Sequence, residues 1–242
     1  MLRAQFQTAV SLVYPAKCLG CGDLVEQDFG LCGTCWVGAH FISGTTCDGC
    51  GLPLPGEADD HRLECDDCMQ QPRPWSRGRA AMIYKETARS LVMALKHGDR
   101  TELAAPAAIW LQRVAAPLLC GDPLICPVPL HWSRLLKRRY NQSALLAEKL
   151  ARQARLTYRP DLLKRTKQTP SLEGKTRAQR FAVMQDVIAV HPRQIESLRG
   201  RVVLLVDDVM TSGATLSACA EACLGAGAAE VRVAVLARVT RA

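Results

Sequence analysis

Arg201-Val-Val-Leu-Leu-Val-Asp-Asp-Val-Met-Thr-Ser-Gly-Ala-Thr215 is the stretch that decides the fold. Its apolar residues Val202 to Val206 show no polar alternation, the pattern of a strand buried on both faces of a parallel sheet. The run ends in Asp207 and Asp208, which puts two carboxylates at the strand's carboxyl end, where open α/β sheets bind ligands. Thr211, Ser212, Gly213, Ala214 and Thr215 follow, and a helix-like run from Leu216 to Leu224 is closed by Gly225 and Gly227. Such a turn gathers backbone N–H groups and hydroxyls at a helix N-terminus, a spot that favours phosphate. Two carboxylates beside it suit hydrogen bonds to ribose hydroxyls and a Mg2+ shared with the ligand. An isolated Asp-Asp would read as readily as a capped strand end.

Upstream, Arg79 to Tyr84 reads as a strand, with helices over Thr87 to Lys96 and Glu102 to Pro117. Lys96-His97-Gly98-Asp99-Arg100 falls between those helices and reads as a polar loop rather than a ligand contact. In Pro123-Leu-Ile-Cys-Pro-Val-Pro-Leu130, the prolines place the strand near a sheet edge or confine its regularity to Leu124 to Cys126. The connection His131-Trp-Ser-Arg-Leu-Leu-Lys-Arg-Arg-Tyr-Asn-Gln142 carries four cations, Arg134, Lys137, Arg138 and Arg139, before a helix capped near Asn141 and running to about Ala154. Brought beside the Asp-Asp turn, those cations could hold a pyrophosphate; on an open surface they form a basic nucleic-acid patch.

Leu162 to Lys164, Asp186 to Val190 and Val231 to Val235 complete a parallel α/β core of about five strands. Between the first two lies Arg165 to Arg180, a basic segment with Lys175, Arg177 and Arg180. It is the kind of long loop that closes over a charged substrate. Gly174-Lys-Thr176 suggests a P-loop, but the motif requires glycine at position 169, which is Thr169. Cys219 and Cys223, one helical turn apart, read as core, as do Cys120 and Cys126.

Eight of the twelve cysteines fall in four Cys-x-x-Cys pairs: Cys18/Cys21, Cys32/Cys35, Cys47/Cys50 and Cys65/Cys68. Each pair can place two thiolates on one ion, giving two closed, structural four-thiolate zinc sites. The simplest pairing is sequential, and an interleaved one stays open. Few large apolar residues lie between Cys18 and Cys68, so metal is expected to supply most of the folding energy there. His40 and His61 read as surface residues.

The spacing of these pairs fits metal binding in a reducing compartment, which places the chain in the cytoplasm. No apolar run approaches the ~20 residues of a membrane span, and Met1 to Val13 does not resemble a secretory signal. Residues 1 to 75 hold 4 Lys/Arg against 10 Asp/Glu, while residues 76 to 242 hold 27 against 13. The change falls at Gln71-Pro-Arg-Pro-Trp75, the expected linker between a zinc-ribbon domain (1–75) and an α/β domain (76–242). A net of −6 makes the ribbon a poor nucleic-acid binder and a better scaffold or protein-interaction module.

Val-Leu-Leu-Val-Asp-Asp-Val-Met-Thr-Ser-Gly-Ala-Thr resembles the phosphoribosyl pyrophosphate (PRPP) signature of type I phosphoribosyltransferases. Together with the paired zinc knuckles, Leu-Lys-His-Gly-Asp-Arg, Pro-Val-Pro-Leu and Arg-Arg-Tyr-Asn-Gln, it makes nearly the whole chain, Leu12 to Arg238, resemble the ComF family of competence and DNA-utilisation proteins. The resemblance implies a double zinc ribbon ahead of a type I phosphoribosyltransferase-like parallel sheet with helices on both faces. It puts Asp207 and Asp208 on the ribose hydroxyls, Thr211 to Thr215 around the 5′-phosphate, and His131 to Arg139 on the pyrophosphate. Arg165 to Arg180 becomes the flexible loop. Members commonly show Arg-Gly-Phe-Asn-Gln where this chain has Arg138-Arg-Tyr-Asn-Gln142.

Two functions compete. One is Mg2+-dependent displacement of pyrophosphate from PRPP by an unidentified acceptor, with no residue that looks like a dedicated base. The other is a protein of DNA uptake or use that retains PRPP recognition, engages single-stranded DNA through its basic face, and meets a protein of the uptake machinery. A PRPP-responsive regulator lacks any evident helix-turn-helix.

Overall fold

The computed structural model describes residues 14–57, 61–170, 172 and 174–240. Met1 to Val13, Ser171, Glu173 and the side chain of Lys137 lie outside the described part. In chain order the elements are α1 (Gly33–Gly38), α2 (Asp66–Gln70), β1 (Arg77–Ile83), α3 (Glu86–His97), α4 (Ala104–Ala115), β2 (Leu124–Pro127), α5 (Trp132–Arg138) and α6 (Gln142–Ala154). After these come β3 (Leu163–Arg165), α7 (Arg177–Met184), β4 (Ile188–Val190), α8 (Ile195–Leu198), β5 (Val202–Met210), α9 (Ala214–Gly225) and β6 (Glu230–Arg238).

The expected sheet of about five strands is a four-stranded parallel sheet, ordered β1-β6-β5-β2. The segments expected at Leu162 to Lys164 and Asp186 to Val190 pair with each other instead, antiparallel, from Leu163↔Val190 to Arg165↔Ile188. Three residues each is too little apolar run to enter the main sheet, so they form the base of a flap that carries α7. Prolines limit β2 to a register from Leu124↔Val203 to Pro127↔Val206. Its outer edge is covered by a parallel bridge, Ile125↔Tyr158.

β5 lies at the centre because both of its faces are apolar. Leu204 and Val206 pack under α3, α4 and α6 with Leu95, Leu111, Leu146 and Leu150. Val203 and Leu205 face α9 and the flap, with Leu216, Cys219, Met184 and Ile188. At roughly 1.5–3 kcal/mol per fully buried aliphatic side chain, this two-sided burial is the main force fixing β5. Cys126, Cys219 and Cys223 are buried as expected, and burial pushes the Cys126 and Cys219 thiols up. Cys120 is not core: it is exposed, in the turn before β2.

The cysteine-rich segment is built into this core. The Ile42 N–H donates to the Ala81 carbonyl at 2.9 Å and the Ile83 N–H to the His40 carbonyl at 3.0 Å, so residues 40–42 cover the outer edge of β1. Cys47, Cys50, Cys65 and Cys68 share the apolar cluster of β5 and α9 with Trp75. Trp75, expected in a linker, is buried and donates from Nε1 to the Gly49 carbonyl at 2.6 Å. Among the described residues no helix is long and apolar enough to cross a membrane.

Candidate functional site

β5 runs through both aspartates to Met210 rather than stopping before them. Its partner β2 ends opposite Val206, so Asp207 and Asp208 emerge along the side of β5 that β2 no longer covers. Two elements then close on them. The Ser143 hydroxyl, in the first turn of α6, donates to Asp207 Oδ1 at 2.7 Å, and Lys96 Nζ, at the end of α3, lies 3.0 Å from Asp208 Oδ1. Burial beside the like-charged Asp208 raises the Asp207 carboxyl from its ordinary range to about 7, against the opposing pull of Ser143 and Lys96.

Arg138-Arg-Tyr-Asn-Gln142 explains how Lys96 reaches the site. The Tyr140 hydroxyl donates to the Leu95 carbonyl at 2.8 Å and Gln142 Nε2 to the Lys96 carbonyl at 3.4 Å, tying the end of α3 to the start of α6. The Asn141 side chain caps α6 by accepting from the Ser143 N–H at 3.0 Å and donates to the Val128 carbonyl at 3.0 Å. Arg139 has φ +67°, a left-handed conformation that glycine adopts without strain. The bond to Leu95 is one that a phenylalanine at position 140 could not make.

His131 to Arg138, expected as a connecting loop, is a capped helix. The His131 ring accepts from the Ser133 N–H at 3.3 Å and is itself buried, so its role is to start α5. Arg134, Arg138 and Arg139 line a cavity of about 380 Å3 with Lys96, His97 and Asp99. Among the described side chains, four cations face one carboxylate there. Arg134 also donates to the Thr169 carbonyl at 3.1 Å, which docks the flap onto α5.

The phosphate-type turn has the conformation its sequence implies. Gly213 sits at φ +86° as the N-terminal residue before α9 and has no side chain of its own to cap it, while the Ala214 N–H donates to the neighbouring Ser212 hydroxyl at 3.4 Å. The next N–H groups of α9, those of Thr215 and Leu216, are left for an anion. Arg238 Nη1 donates to the Thr211 carbonyl at 2.6 Å and the Met210 carbonyl at 3.2 Å, and Arg73 Nη1 donates to the Ser212 carbonyl at 2.8 Å. Two guanidinium groups thus occupy the turn's carbonyl oxygens. Asp207, Thr211 to Thr215 and Leu172 surround a narrow cleft of about 20 Å3.

Only part of the expected flexible loop is loop. A capping box between Thr176 and Gln179 starts α7, so Arg177 and Arg180 are helical. Arg177 pairs with Asp67 at 3.0 Å, between two cysteines of the second knuckle, and Arg180 donates to the Lys175 carbonyl at 3.0 Å. These cations face a pocket of their own beside Thr211 and Ser212, away from the aspartates.

The cysteines assemble sequentially: Cys18, Cys21, Cys32 and Cys35 in one cluster, Cys47, Cys50, Cys65 and Cys68 in the other, with sulfurs of each within 4.8 Å of one another. Tetrahedral zinc with Zn–S of about 2.3 Å sets sulfurs about 3.8 Å apart. Cys21 and Cys32 stand at 3.7 Å, and Cys50 and Cys65 at 3.6 Å. Backbone N–H groups of Cys32 and Cys65 reach Cys18 and Cys47 Sγ at 3.2 and 3.3 Å, as donors to thiolates do in zinc knuckles. Both sets fit structural zinc.

Lys96, Ser143, Arg73 and Arg238 are site residues that sequence reasoning missed. Lys96 belongs to Lys96-His97-Gly98-Asp99-Arg100, which reads as a polar loop in the sequence. The other three carry no local signal, because they act on residues 64, 139 and 27 positions away.

Comparison with known proteins agrees with this architecture. Residues 9–69 match the family described as "Double zinc ribbon domain", and residues 141–241 the family described as "Phosphoribosyl transferase domain". The chain is 30% identical over 233 residues to the DNA utilization protein YhgH of Escherichia coli, covering 94% of this chain and 99% of that protein. It is 28% identical over 236 residues to competence protein F of Haemophilus influenzae, covering 92% and 96%. Among solved structures, the allosteric regulatory enzyme of purine biosynthesis superposes with TM-score 0.38 and 16% identity, over 60% of this chain and 30% of that one. The hypoxanthine phosphoribosyl transferase of Trypanosoma cruzi gives TM-score 0.34 and 18% identity, over 57% and 64%.

Proposed function

We propose, from the premise that this chain belongs to the ComF family of DNA utilization and competence proteins, that it binds PRPP with Mg2+ at the end of β5 and serves DNA uptake or use in the cytoplasm. The observation that carries the reading is the juxtaposition of two held carboxylates with a helix start whose Thr215 and Leu216 N–H groups are left open. Asp207 and Asp208 are fixed by Ser143 and Lys96, and the left-handed Gly213 turn offers N–H groups a few residues on. Carboxylates accept from ribose hydroxyls while the turn takes the 5′-phosphate. Asp207 and Asp208 are the carboxylates beside which Mg2+ shared with the ligand would sit, and it would supply charge neutralisation there. The cavity of Lys96, Arg134, Arg138 and Arg139 lies where that pyrophosphate would extend.

The same cavity favours a second reading, an active transferase. A transition state that releases pyrophosphate gains from cations already in place, and positioning with electrostatics is the main demand of such chemistry. The reaction needs an acceptor, and pyrophosphate release in a screen of bases and amines tests it. Turnover that disappears in Asp207→Asn/Asp208→Asn supports the transferase; no turnover with any acceptor leaves PRPP binding as the function.

For DNA, the basic face beside α5 is the surface in question. Arg134 and Arg138 line the cavity on one face of α5, where they can neutralise phosphates, while Trp132 and Leu136 are exposed one turn apart on the other face. Calorimetry with PRPP and Mg2+, repeated with a single-stranded oligonucleotide, measures both affinities and their coupling. DNA affinity that falls steeply with salt and weakens in Arg134→Ala/Arg138→Ala/Arg139→Ala supports the assignment. Affinity independent of salt, or unchanged in that variant, opposes it.

A further inference from the structure

A second basic pocket lies on the other side of the phosphate turn. Its volume is about 230 Å3, and it is lined by Lys175, Arg177, Arg180 and Arg238, with Asp67 as the one carboxylate among its described residues, and by Thr211 and Ser212. It shares only Thr211 and Ser212 with the cleft that runs from Asp207 to Leu216. Three parts of the molecule build it: the second cysteine knuckle, the first turn of α7, and the end of β6.

Its charge is out of balance. Arg73 Nε lies 3.5 Å from Cys68 Sγ, and Arg238 lines a neighbouring cavity with Cys65, so with zinc bound the doubly negative tetrathiolate centre would offset those two guanidinium groups. Among the described residues of the pocket, Lys175, Arg177 and Arg180 then face the single carboxylate of Asp67. All three crowd the N-terminal turn of α7, the positive end of its dipole, where cations are disfavoured and an anion is stabilised.

The hydrogen bonding is incomplete in the same place. Arg177 Nη1 reaches Asp67 at 3.0 Å, but its Nε and Nη2 are buried and find no partner among the described residues, and the same holds for Arg238 Nε. Buried guanidinium N–H groups without acceptors are costly, and a single oxyanion can satisfy several of them at once. The volume is below the ~300–1,000 Å3 of pockets that hold whole drug-sized ligands, so it admits a phosphate group rather than an entire nucleotide.

We propose that this pocket is a second anion site, taking a phosphate group in addition to any bound at the Gly213 turn. The inference goes beyond the PRPP assignment and does not depend on it. The dianionic charge and tetrahedral oxygens of a phosphate monoester match the excess of two positive charges and the diverging N–H donors.

Inorganic phosphate is the probe, titrated by calorimetry into the zinc-loaded full chain, first alone and then with ribose 5-phosphate at saturation. The expected result is a phosphate event that survives saturation and is weakened at least about tenfold in Lys175→Ala/Arg180→Ala, with zinc content and the ribose 5-phosphate isotherm retained. A phosphate event abolished by ribose 5-phosphate means one shared site and overturns the proposal. So does wild-type affinity in the variant, or no phosphate event at all. Absence of ribose 5-phosphate binding would instead count against the PRPP assignment, while the phosphate titrations still decide this one.

Discussion

Arg73 Nη1 donates a 2.8 Å hydrogen bond to the Ser212 carbonyl, while its Nε lies 3.5 Å from Cys68 Sγ. One guanidinium group therefore joins the second four-cysteine site to the turn proposed to hold phosphate. The zinc module is in contact with the site, and its metal state is expected to matter there.

Replacing Arg73 with alanine removes a charged donor from a partly buried carbonyl, a loss of about 1.5–3 kcal/mol in such settings. The expected outcome for Arg73→Ala is roughly tenfold weaker ribose 5-phosphate binding with both zinc ions retained. Calorimetry alongside metal analysis checks it. Unchanged affinity would show that the turn holds its shape without this bond.

Gly213 carries φ +86°, and a Cβ there would lie 2.9 Å from Arg73 Nη1 and 3.3 Å from the Trp75 ring. Gly213→Ala combines backbone strain with a clash against Arg73 and Trp75, and is expected to destabilise the fold by about 1–3 kcal/mol. Urea unfolding reads the loss directly.

Metal removal should be felt unequally. The second cluster is buried within the apolar core with Trp75, whereas Cys21 of the first is exposed. Cys50→Ser is expected to lower the thermal midpoint and shift tryptophan emission to the red as Trp75 loses its burial and its bond to Gly49. Cys21→Ser should do so far less. Equal effects from the two would contradict the packing described.

The acidic pair predicts an unusual pH slope. Asp207 titrates from an ordinary 3.8 up to about 7 in the folded chain. Between those values the folded state keeps a proton that the unfolded state has released, so stability of the unliganded protein falls as pH rises from about 4 to about 7. Asp208→Asn removes the like charge and flattens the slope; Ser143→Ala removes a bond to the carboxylate and extends the slope to higher pH. Denaturation midpoints across that range, with carboxyl NMR of Asp207, measure both. Stability that rises over the same interval would refute the assignment.

Much of this was legible in the chain itself, and the limits have a physical cause. An unbroken apolar run names β5, and Cys-x-x-Cys spacing names both zinc sites, because each is a local pattern with one dominant solution. The flap was misplaced into the main sheet because Leu163–Arg165 and Ile188–Val190 are too short for composition to tell a core strand from an antiparallel pair. Gln71 to Trp75 read as a linker on its prolines, yet Trp75 is buried and Arg73 is bonded to both neighbours. Proline reports what the backbone cannot do locally and says nothing about what the side chains meet. Lys96, Ser143 and Arg238 became visible only when the fold brought distant elements to the end of β5.

The most direct test of the central claim is the calorimetric titration of PRPP with Mg2+ into zinc-loaded protein, wild type against Asp207→Asn/Asp208→Asn. The account predicts one site in the wild type and at least a hundredfold weaker binding in the variant, since two charge-assisted contacts at about 1.5–3 kcal/mol each are lost. Equal binding by both proteins, or none by the wild type, would contradict it.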